Sequence, residues 1–457
     1  MATTYLSRTF GTPTNASKFT YSAWVKRCNL DGTQILLYAN GGNAQNFSNI
    51  MFNSSNCFFW HILHSNSEVS KLRSTRRLRD NNGWYHLVFQ YDSTQSTAAN
   101  RTKMYINGVE VTSYHTQTNS GQNSNYHMNT AVEHLIGAEK GNTGGSVGNY
   151  FDGLMSHVHF VDGTIYAPST FGETDSSTGE WKIKTNPGIS TSNYGNNGFW
   201  ILKDGNSVTD QSGNGNNWTV AGGTLSDYED NPSHVFNIMD SKNKSSVVDV
   251  RRCGGTTVGT SNSSSGTARS NFNIPATGKW YFEYKMIPDN QGNTYPNSGI
   301  KYNATKYYNP DHSNSSADIF VYGTYGSVLL YVRNGTNITA GAPASSGDIF
   351  GFAIDQDNGA IYVHENGTYM SQGGNVGVPT SGSSKTGAVF TYTAGTYPDM
   401  CLVGHEFGNS ETQWNFGNGI FFTTPVSSAG TNASNIGIFE YDVPAGYTAL
   451  STKGLNN

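Results

Sequence analysis

The chain has 457 residues, of which 35% are hydrophobic and 13% charged, and its formal net charge is −5. This length exceeds one ordinary domain, so two or three domains are expected. The 27 Lys and Arg residues are scattered, which argues against a nucleic-acid-binding face, and no apolar run approaches the ~20 residues of a membrane-spanning helix.

Composition favours an all-β protein. Aromatic residues reach 13%, with 27 Tyr, and 53 Gly residues punctuate β-branched and aromatic runs. The first residues carry neither a basic nor an apolar segment, so we expect no secretory signal. The four cysteines lack CxxC spacing and are interpreted as buried free thiols of a reducing cytoplasm, with a Cys28–Cys57 bridge as the alternative.

Residues 1–165 are predicted to form the first β-sandwich. Its opening strand alternates apolar with outward positions, the apolar set being Phe19, Tyr21, Ala23 and Val25. Another strand begins at Trp84, and Asn107-Gly108 is the strongest short hairpin signal. A strand over residues 150–160 is expected to bury Leu154, Val158 and Phe160 on one face.

Two further regions follow. Residues 166–245 are rich in loop-forming residues and are interpreted as a connecting region. Residues 246–457 are predicted to form a second sandwich, in which Phe350, Phe352 and Ile354 share one face, Asp355–Gly359 turns the chain, and a return strand follows. Trp24, Trp84, Trp280 and Trp414 are interpreted as core residues of their sandwiches.

The first region carries a recognisable order of motifs. They are Trp24-Val25-Lys26, Gly83-Trp84-Tyr85-His86, Tyr105-Ile106-Asn107-Gly108, Ile136-Gly137 and Tyr150-Phe151-Asp152-Gly153. This order resembles the laminin-G, or concanavalin A-like, jelly-roll family. With the runs Pro168–Asp175, Tyr194–Trp200 and Asp210–Thr219, residues 5–220 resemble virion proteins of marine and cyanobacterial phages, in which a laminin-G module precedes a SPRY module.

The third region resembles the SPRY family over about residues 270–452. The motifs that carry this resemblance are Gly278–Glu283, Gly347–Asp355, Trp414–Gly417 and Pro444–Leu450. An insertion at Thr423–Phe439 departs from the family pattern. Together the resemblances imply an all-β fold of tandem β-sandwiches, a concanavalin A-like jelly roll followed by a SPRY-like sandwich.

Candidate catalytic and metal residues are few. Glu173 and Asp175 are the nearest match to the paired carboxylates of a glycoside hydrolase, but Thr178 stands where a further Glu is expected, so no catalysis is predicted. His157 and His159 are interpreted as an exposed pair without a third metal ligand. A weak calcium candidate begins an oxygen-rich loop, with an Asx-rich turn as the favoured alternative; its residues are Asp210, Ser212 and Asn214.

One loop region gathers aromatic and polar side chains suited to stacking on sugar rings and bonding their hydroxyls. The predicted ligand-binding residues are Tyr302, Tyr307, Tyr308, Asp311, His312 and Tyr325. A Tyr-rich surface that packs against another subunit explains the same residues equally well. No cofactor is predicted, and calcium is kept as an alternative.

The resemblance implies a non-enzymatic structural protein on the phage virion surface, made in the host cytoplasm. The predicted role is a tail fibre or surface appendage that binds the host envelope, through glycans or a protein. Its other partners are virion proteins and further copies of the chain, with a trimer implied by the resemblance alone; neither nucleic acid binding nor membrane insertion is expected. The alternatives are a capsid-decorating or connecting protein and a polysaccharide depolymerase.

Overall fold

The structure is a computed structural model. It describes residues 3–81, 83–141, 145–203, 205, 207–246, 248–251, 257–260, 266–288, 297–302, 318–324, 327–332, 336–339, 345–406, 408–422 and 424–456. As predicted, the fold is all-β, with antiparallel sheets and only short helices among the described residues. No described helix has the length and apolar character required to cross a membrane.

Two compact units divide the chain. The first holds residues 1–227 and 231–233, and the second holds 228–230 and 234–457. These units differ from the boundaries expected at 165 and 245. Most of the expected connecting region lies in the first unit, because Phe199, Ile201 and Trp218 are buried in its core and two of its strands pair with the sandwich sheets.

The first unit contains eighteen strands with described bounds, which are β1 Tyr5–Thr9, β2 Lys18–Arg27, β3 Gln34–Asn43, β4 Asn46–Phe52, β5 Cys57–His64, β6 Ser67–Arg77, β7 Tyr85–Asp92, β8 Thr102–Ile106, β9 Val109–Glu110, β10 Tyr114–Thr118, β11 Glu133–Ile136, β12 Glu139–Lys140, β13 Val147–Gly148, β14 Gly153–Asp162, β15 Gly172–Thr174, β16 Trp181–Ile183, β17 Phe199–Ile201 and β18 Thr219–Gly222. One short helix, α1, spans Thr191–Tyr194, and 3-10 turns span Ala98–Asn100 and Pro168–Thr170.

Two sheets of the first unit enclose its main core. One has the strand order β10-β6-β5-β4-β3-β11-β1-β18, and the other has the order β17-β14-β2-β7-β8-β9. The predicted apolar face of β2 lies in the core between them, which confirms that alternation. The predicted hairpin is also confirmed: Ile106 pairs with Val109, and Asn107 and Gly108 have φ values of 50° and 79°, as a two-residue type I′ turn requires.

A β-bulge corrects the expected face of β14. The register against β2 shifts between Ser156 and His159, so one extra residue enters the strand. Val158 and Phe160 therefore face the core as predicted, but before the bulge Met155, not Leu154, packs against it. Alternation by two holds only while no residue is inserted, so the sequence pattern misplaced Leu154.

The second unit contains the remaining twenty strands, which are β19 Met239–Lys244, β20 Val248–Arg251, β21 Thr257–Thr260, β22 Gly266–Ile274, β23 Lys279–Ile287, β24 Asn297–Tyr302, β25 Asp318–Thr324, β26 Ser327–Val332, β27 Thr336–Thr339, β28 Ile349–Asp355, β29 Ala360–Glu365, β30 Thr368–Tyr369, β31 Ser371–Gln372, β32 Asn375–Val376, β33 Phe390–Thr391, β34 Met400–Glu406, β35 Glu411–Asn415, β36 Ile420–Phe421, β37 Thr424–Pro425 and β38 Thr448–Ala449. The 3-10 turns lie at Pro379–Ser384 and Gly454–Asn456.

Two large sheets also form the second unit. Their orders are β19-β22-β34-β24-β25-β26-β27 and β20-β21-β35-β23-β28-β29-β30, with β33 and β38 joined to the second. The predicted hairpin after Asp355 is confirmed, since Ile354 pairs with Ile361 and Phe352 with Val363. Trp280 and Trp414 lie in this core. Trp84 is only half-buried and precedes its strand, so its predicted core role is wrong.

Candidate functional site

A polar cleft of about 330 Å³ opens on the outward face of the six-stranded sheet in the first unit. Its lining residues are Gln90, Asp92, Gln95, Asn100, Lys103 and Ile165. Strand alternation positions the lining from β7, because Phe89 and Tyr91 point into the core and the residues beside them point outward. The register between β7 and β8 positions Lys103, because Lys103 pairs directly with Gln90.

The side chain of Gln90 is held in one orientation at the base of this cleft. Its Nε2 donates to the Tyr166 carbonyl at 2.7 Å, and its Oε1 accepts from the Tyr105 hydroxyl at 3.3 Å. Gln90 is buried, whereas both tyrosine rings are half-buried beside it. The amide is therefore fixed by contacts with β8 and with the loop after β14, before any ligand arrives.

Asp92 supplies the negative charge of the cleft. Its Oδ1 accepts from the N–H and hydroxyl of Thr94, and its Oδ2 accepts from Gln95 Nε2 at 2.8 Å and lies 3.4 Å from Lys18 Nζ. Burial by itself would raise the pKa of Asp92, but the hydrogen bonds from Thr94 and Gln95 outweigh it and lower the pKa. The carboxylate is therefore ionised at neutral pH.

Arg101 braces the loop that carries Gln95 and Asn100. Its guanidinium donates to the carbonyls of Gln95, Ser120 and Ser96 at 2.8, 2.8 and 3.0 Å. Because one planar guanidinium binds three carbonyl groups, Arg101 holds the loop in place after β7. The Asn100 side chain itself is exposed at the rim and makes contact with solvent.

The lining chemistry suits a neutral, hydroxyl-rich ligand. Three amides offer both donors and acceptors, while one carboxylate and one ammonium group nearly cancel in charge. The volume falls at the small end of ligand pockets, about 300–1,000 Å³. A few fixed polar groups in a small cleft can orient a hydroxyl-bearing ring, whereas nothing in the lining is arranged to activate a nucleophile.

Next to the cleft, a buried aromatic and imidazole cluster covers the same sheet face. Trp181 Nε1 donates to His86 Nδ1 at 3.0 Å, and His86 Nε2 lies 2.8 Å from Ser22 Oγ. Trp24 stacks on His86 with ring centroids 4.8 Å apart, so this tryptophan is buried on the outward face. Burial lowers the pKa of His86 to about 3, which makes it a neutral structural group.

The interpretation of His157 and His159 as an exposed pair is wrong, because both are buried. His159 Nδ1 lies 2.9 Å from the Tyr194 hydroxyl and its ring stacks on Trp200, while His157 occupies the bulge and contacts Ser156 Oγ at 2.8 Å. The segment that follows β14 folds over this face, which a strand pattern alone does not reveal.

Glu173 lies on β15 and Asp175 directly follows that strand, inside the region expected to connect the two sandwiches. Lys182 lies 3.7 Å from Glu173 and 3.0 Å from Asp175. Asp175 also accepts the N–H groups of Ser177 and Thr178, which, with Lys182, lower its pKa. Both carboxylates thus act as turn and ion-pair groups at an exposed hairpin.

The calcium candidates form a closed turn. Asp210 Oδ1 accepts the N–H groups of Trp200 and Ser212, and its Oδ2 accepts from Ser212 Oγ and the N–H of Asn216. The Asn214 amide donates to the carbonyls of Gly195 and Gly198. An Asx-rich turn therefore explains the positions of Asp210, Ser212 and Asn214. Among the described residues, no three His, Cys, Asp or Glu side chains are grouped to hold a metal.

The predicted aromatic ligand loop lies largely outside the described residues. This applies to Tyr307, Tyr308, Asp311, His312 and Tyr325. The backbone of Tyr302 ends β24 and pairs with Met400. The ligand-binding role predicted for these six residues therefore stays a prediction.

The cysteine prediction is wrong at Cys28, which is disulfide-bonded. Cys57 and Cys401 are free and buried, as predicted, so the alternative Cys28–Cys57 bridge is excluded. Cys253 lies outside the described residues.

Residues 2–169 match the family model described as the concanavalin A-like lectin/glucanases superfamily. This part of the first unit resembles a laminin-G-type, concanavalin A-like domain in fold. No curated protein sequence matches the chain. The resemblance predicted for this part of the sequence is thereby confirmed at the level of the fold family, and the polar cleft lies on the sheet of that domain.

Several solved structures are similar to parts or most of the chain. The SPRY domain of human HERC1 is 13% identical over 38% of this chain and 96% of its own, with a TM-score of 0.29. Mouse laminin α1 domains LG4-5 are 8% identical over 98% and 84%, with a TM-score of 0.29. A SAP-like pentraxin from Limulus polyphemus is 17% identical over 36% and 71%, with a TM-score of 0.27. These likenesses concern the fold alone.

The cleft residues are not among the site residues predicted from the sequence. The available signal was the run of outward polar positions on adjacent strands, Gln90 and Asp92 on β7 and Lys103 on β8. Such positions are ordinary on a solvated sheet face, so alternation alone does not mark them. Only the approach of the loop around residue 95 and of Ile165 turns that face into a concave site.

Proposed function

We propose that the chain is a non-catalytic carbohydrate-binding protein whose cleft at Gln90, Asp92 and Lys103 takes a neutral glycan. The observation that carries this proposal is the Gln90 amide, which is buried at the cleft base and held between Tyr105 and Tyr166. A fixed amide discriminates hydroxyl positions, because a ligand that lacks the matching hydroxyl leaves a buried polar group unpaired.

The charge pattern supports a neutral ligand over an acidic one. Asp92 is ionised and lies deeper than the exposed Asn100, and Lys103 is already paired with Glu110 at 3.1 Å. An anionic sugar would meet the Asp92 carboxylate without a free cation to compensate it. Hydrogen bonds to the neutral amides of Gln90, Gln95 and Asn100 favour uncharged, hydroxyl-rich rings.

The wider role that this supports is attachment. A concanavalin A-like domain joined to a second sandwich suits a surface appendage of a phage particle that contacts the host envelope and is built into the virion with other virion proteins. Weak single sites of this kind gain avidity when several copies act together, so a homo-oligomer belongs to the proposal. A capsid-decorating protein and a depolymerase remain the competing functions.

The test uses the full-length chain and variants of the cleft. Binding to a panel of neutral and acidic glycans, and to intact host cells, would be measured for the wild type, Gln90→Ala and Asn100→Ala. Gln117→Ala is the matched control, since Gln117 is exposed on β10 of the opposite sheet. We expect binding of neutral glycans to weaken about tenfold in Gln90→Ala and less in Asn100→Ala.

Three outcomes separate the functions. Saturable binding that blocks phage adsorption, with no release of soluble sugar, supports attachment. Sugar release would establish the depolymerase instead. Glycan binding that is absent, or unchanged in both cleft variants, would overturn the cleft as the site and favour a decorating protein whose partners are virion proteins.

A further inference from the structure

A second cluster on the first unit brings two imidazoles together away from the cleft. His64 ends β5, and His127 lies in the loop before β11. His64 Nδ1 and His127 Nε2 lie 3.4 Å apart, and the two rings are tilted by 36°. They come from positions 63 residues apart, so only the fold places them side by side.

The separation of the two nitrogens suits metal chelation as well as a long hydrogen bond. Normal N–H donor–acceptor distances are about 2.7–3.2 Å, so 3.4 Å is long for a hydrogen bond. Two imidazole nitrogens at about 2.0–2.1 Å from a tetrahedral ion are separated by about 3.3 Å, the edge of that tetrahedron. The observed distance therefore matches a shared ion with little movement of either ring.

One ligand of the pair is held in place and the other is free to adjust. The His127 ring lies against Gly41, where an added Cβ would come within 2.6 Å of it, and the Leu63 backbone hydrogen-bonds the ring. His64 is exposed beside Tyr126, with ring centroids 5.5 Å apart.

We infer that His64 and His127 form a binding site for a divalent transition metal ion of the zinc type, held through His64 Nδ1 and His127 Nε2. Imidazole nitrogens prefer such ions over calcium or magnesium, which take oxygen ligands. Asn46, the first residue of β4, binds the residue that follows His64: its Oδ1 accepts the N–H of Ser65. Water, or a group from a ligand or a second copy of the chain, completes the coordination.

The experiment titrates Zn²⁺ into the full chain prepared without a polyhistidine tag, with heat release and stoichiometry as readouts. His64→Gln and His127→Gln each remove one nitrogen ligand. His115→Gln is the matched control, since His115 is exposed on β10 of the same unit. Thermal melting in the absence of metal confirms that each variant is folded, and His64→Gln, at an exposed strand end, keeps the test informative if His127→Gln unfolds.

We expect one site per chain, or one per two chains if copies share the ion, that weakens about tenfold or more in both ligand variants and is unchanged in the control. Zinc affinity that is undetectable in the wild type, or equal in His64→Gln and wild type, would overturn the site. Neither outcome bears on glycan binding at the cleft.

Discussion

The side-chain amide of Asn415 donates to Glu283 Oε2 at 3.2 Å inside the second sandwich. The same carboxylate accepts the N–H groups of Glu440 and Tyr441 at 2.9 Å each, and the Tyr281 hydroxyl at 2.9 Å. Glu283 and Asn415 come from motifs that are far apart in sequence. Through Glu283, they bind the backbone that directly follows the insertion at Thr423–Phe439 to the sheet. The carboxylate and its partners are buried, so their role is to hold the fold together.

Asn415→Ala should destabilise the second unit by about 2–3 kcal/mol. The substitution removes one hydrogen-bond donor from the buried Glu283 carboxylate. It also removes the Oδ1 acceptor of the Gly417 and Gly419 N–H groups. Urea unfolding would measure the loss. Asn375→Ala, at an exposed strand position, is the control and should change little. Equal stabilities of the two variants would contradict a structural role for the Glu283–Asn415 contact.

Above pH 6.5, where His234 and the buried His364 are neutral in both the folded and the unfolded chain, stability of the second unit should fall as pH rises. Burial raises the pKa of Glu406 to about 8 and that of Glu283 to about 7, from 4.5. Between pH 4.5 and these values the unfolded chain releases protons that the folded chain retains, so each group lowers the unfolding free energy by up to about 1.4 kcal/mol per pH unit.

The slope of unfolding free energy against pH, from pH 6.5 to 8, would test this effect. Glu406→Gln should make that slope shallower, since an amide cannot ionise. Glu110→Gln, at an exposed position of the first unit, should keep the wild-type slope. A slope that is the same in Glu406→Gln and wild type would show that Glu406 does not hold its proton in the folded state.

Gly108→Ala should destabilise the first unit more than Gly188→Ala. Both glycines have positive φ, 79° and 70°, so each substitution costs about 1–2 kcal/mol of backbone strain. A Cβ at Gly108 would also come within 2.6 Å of the Trp181 ring, whereas none of the described atoms lies within 4 Å of a Cβ at Gly188. Chemical unfolding followed by tryptophan fluorescence would compare them, and equal losses would contradict the close packing of Trp181.

Added calcium should leave the melting temperature of the first unit unchanged. Both carboxylate oxygens of Asp210 already accept internal hydrogen bonds. Asp210→Ala should destabilise that unit by about 3 kcal/mol or more through the loss of these bonds. Thermal melts with added calcium and with a chelator would measure both effects. A calcium-dependent rise in melting temperature that Asp210→Ala abolishes would establish a calcium site instead.

Local sequence patterns determined much of the fold. The alternation of Phe19 to Val25, the Asn107-Gly108 turn and the Phe352–Val363 hairpin depend on residues close in the chain, and short-range geometry fixes them. The concanavalin A-like fold of residues 2–169 also followed from such motifs in order. Such patterns can be predicted from sequence because each depends on the backbone preferences of neighbouring residues.

Tertiary structure decided the rest. The bulge near His157 moved Leu154 off the core, the segment after β14 buried both histidines, and Phe199 and Trp218 joined the first core rather than a linker. The cleft at Gln90 and the pairing of His64 with His127 arise where distant loops approach one another. Composition and periodicity specify which face a residue prefers, but not which distant segment covers that face, because that depends on the packing of the whole chain.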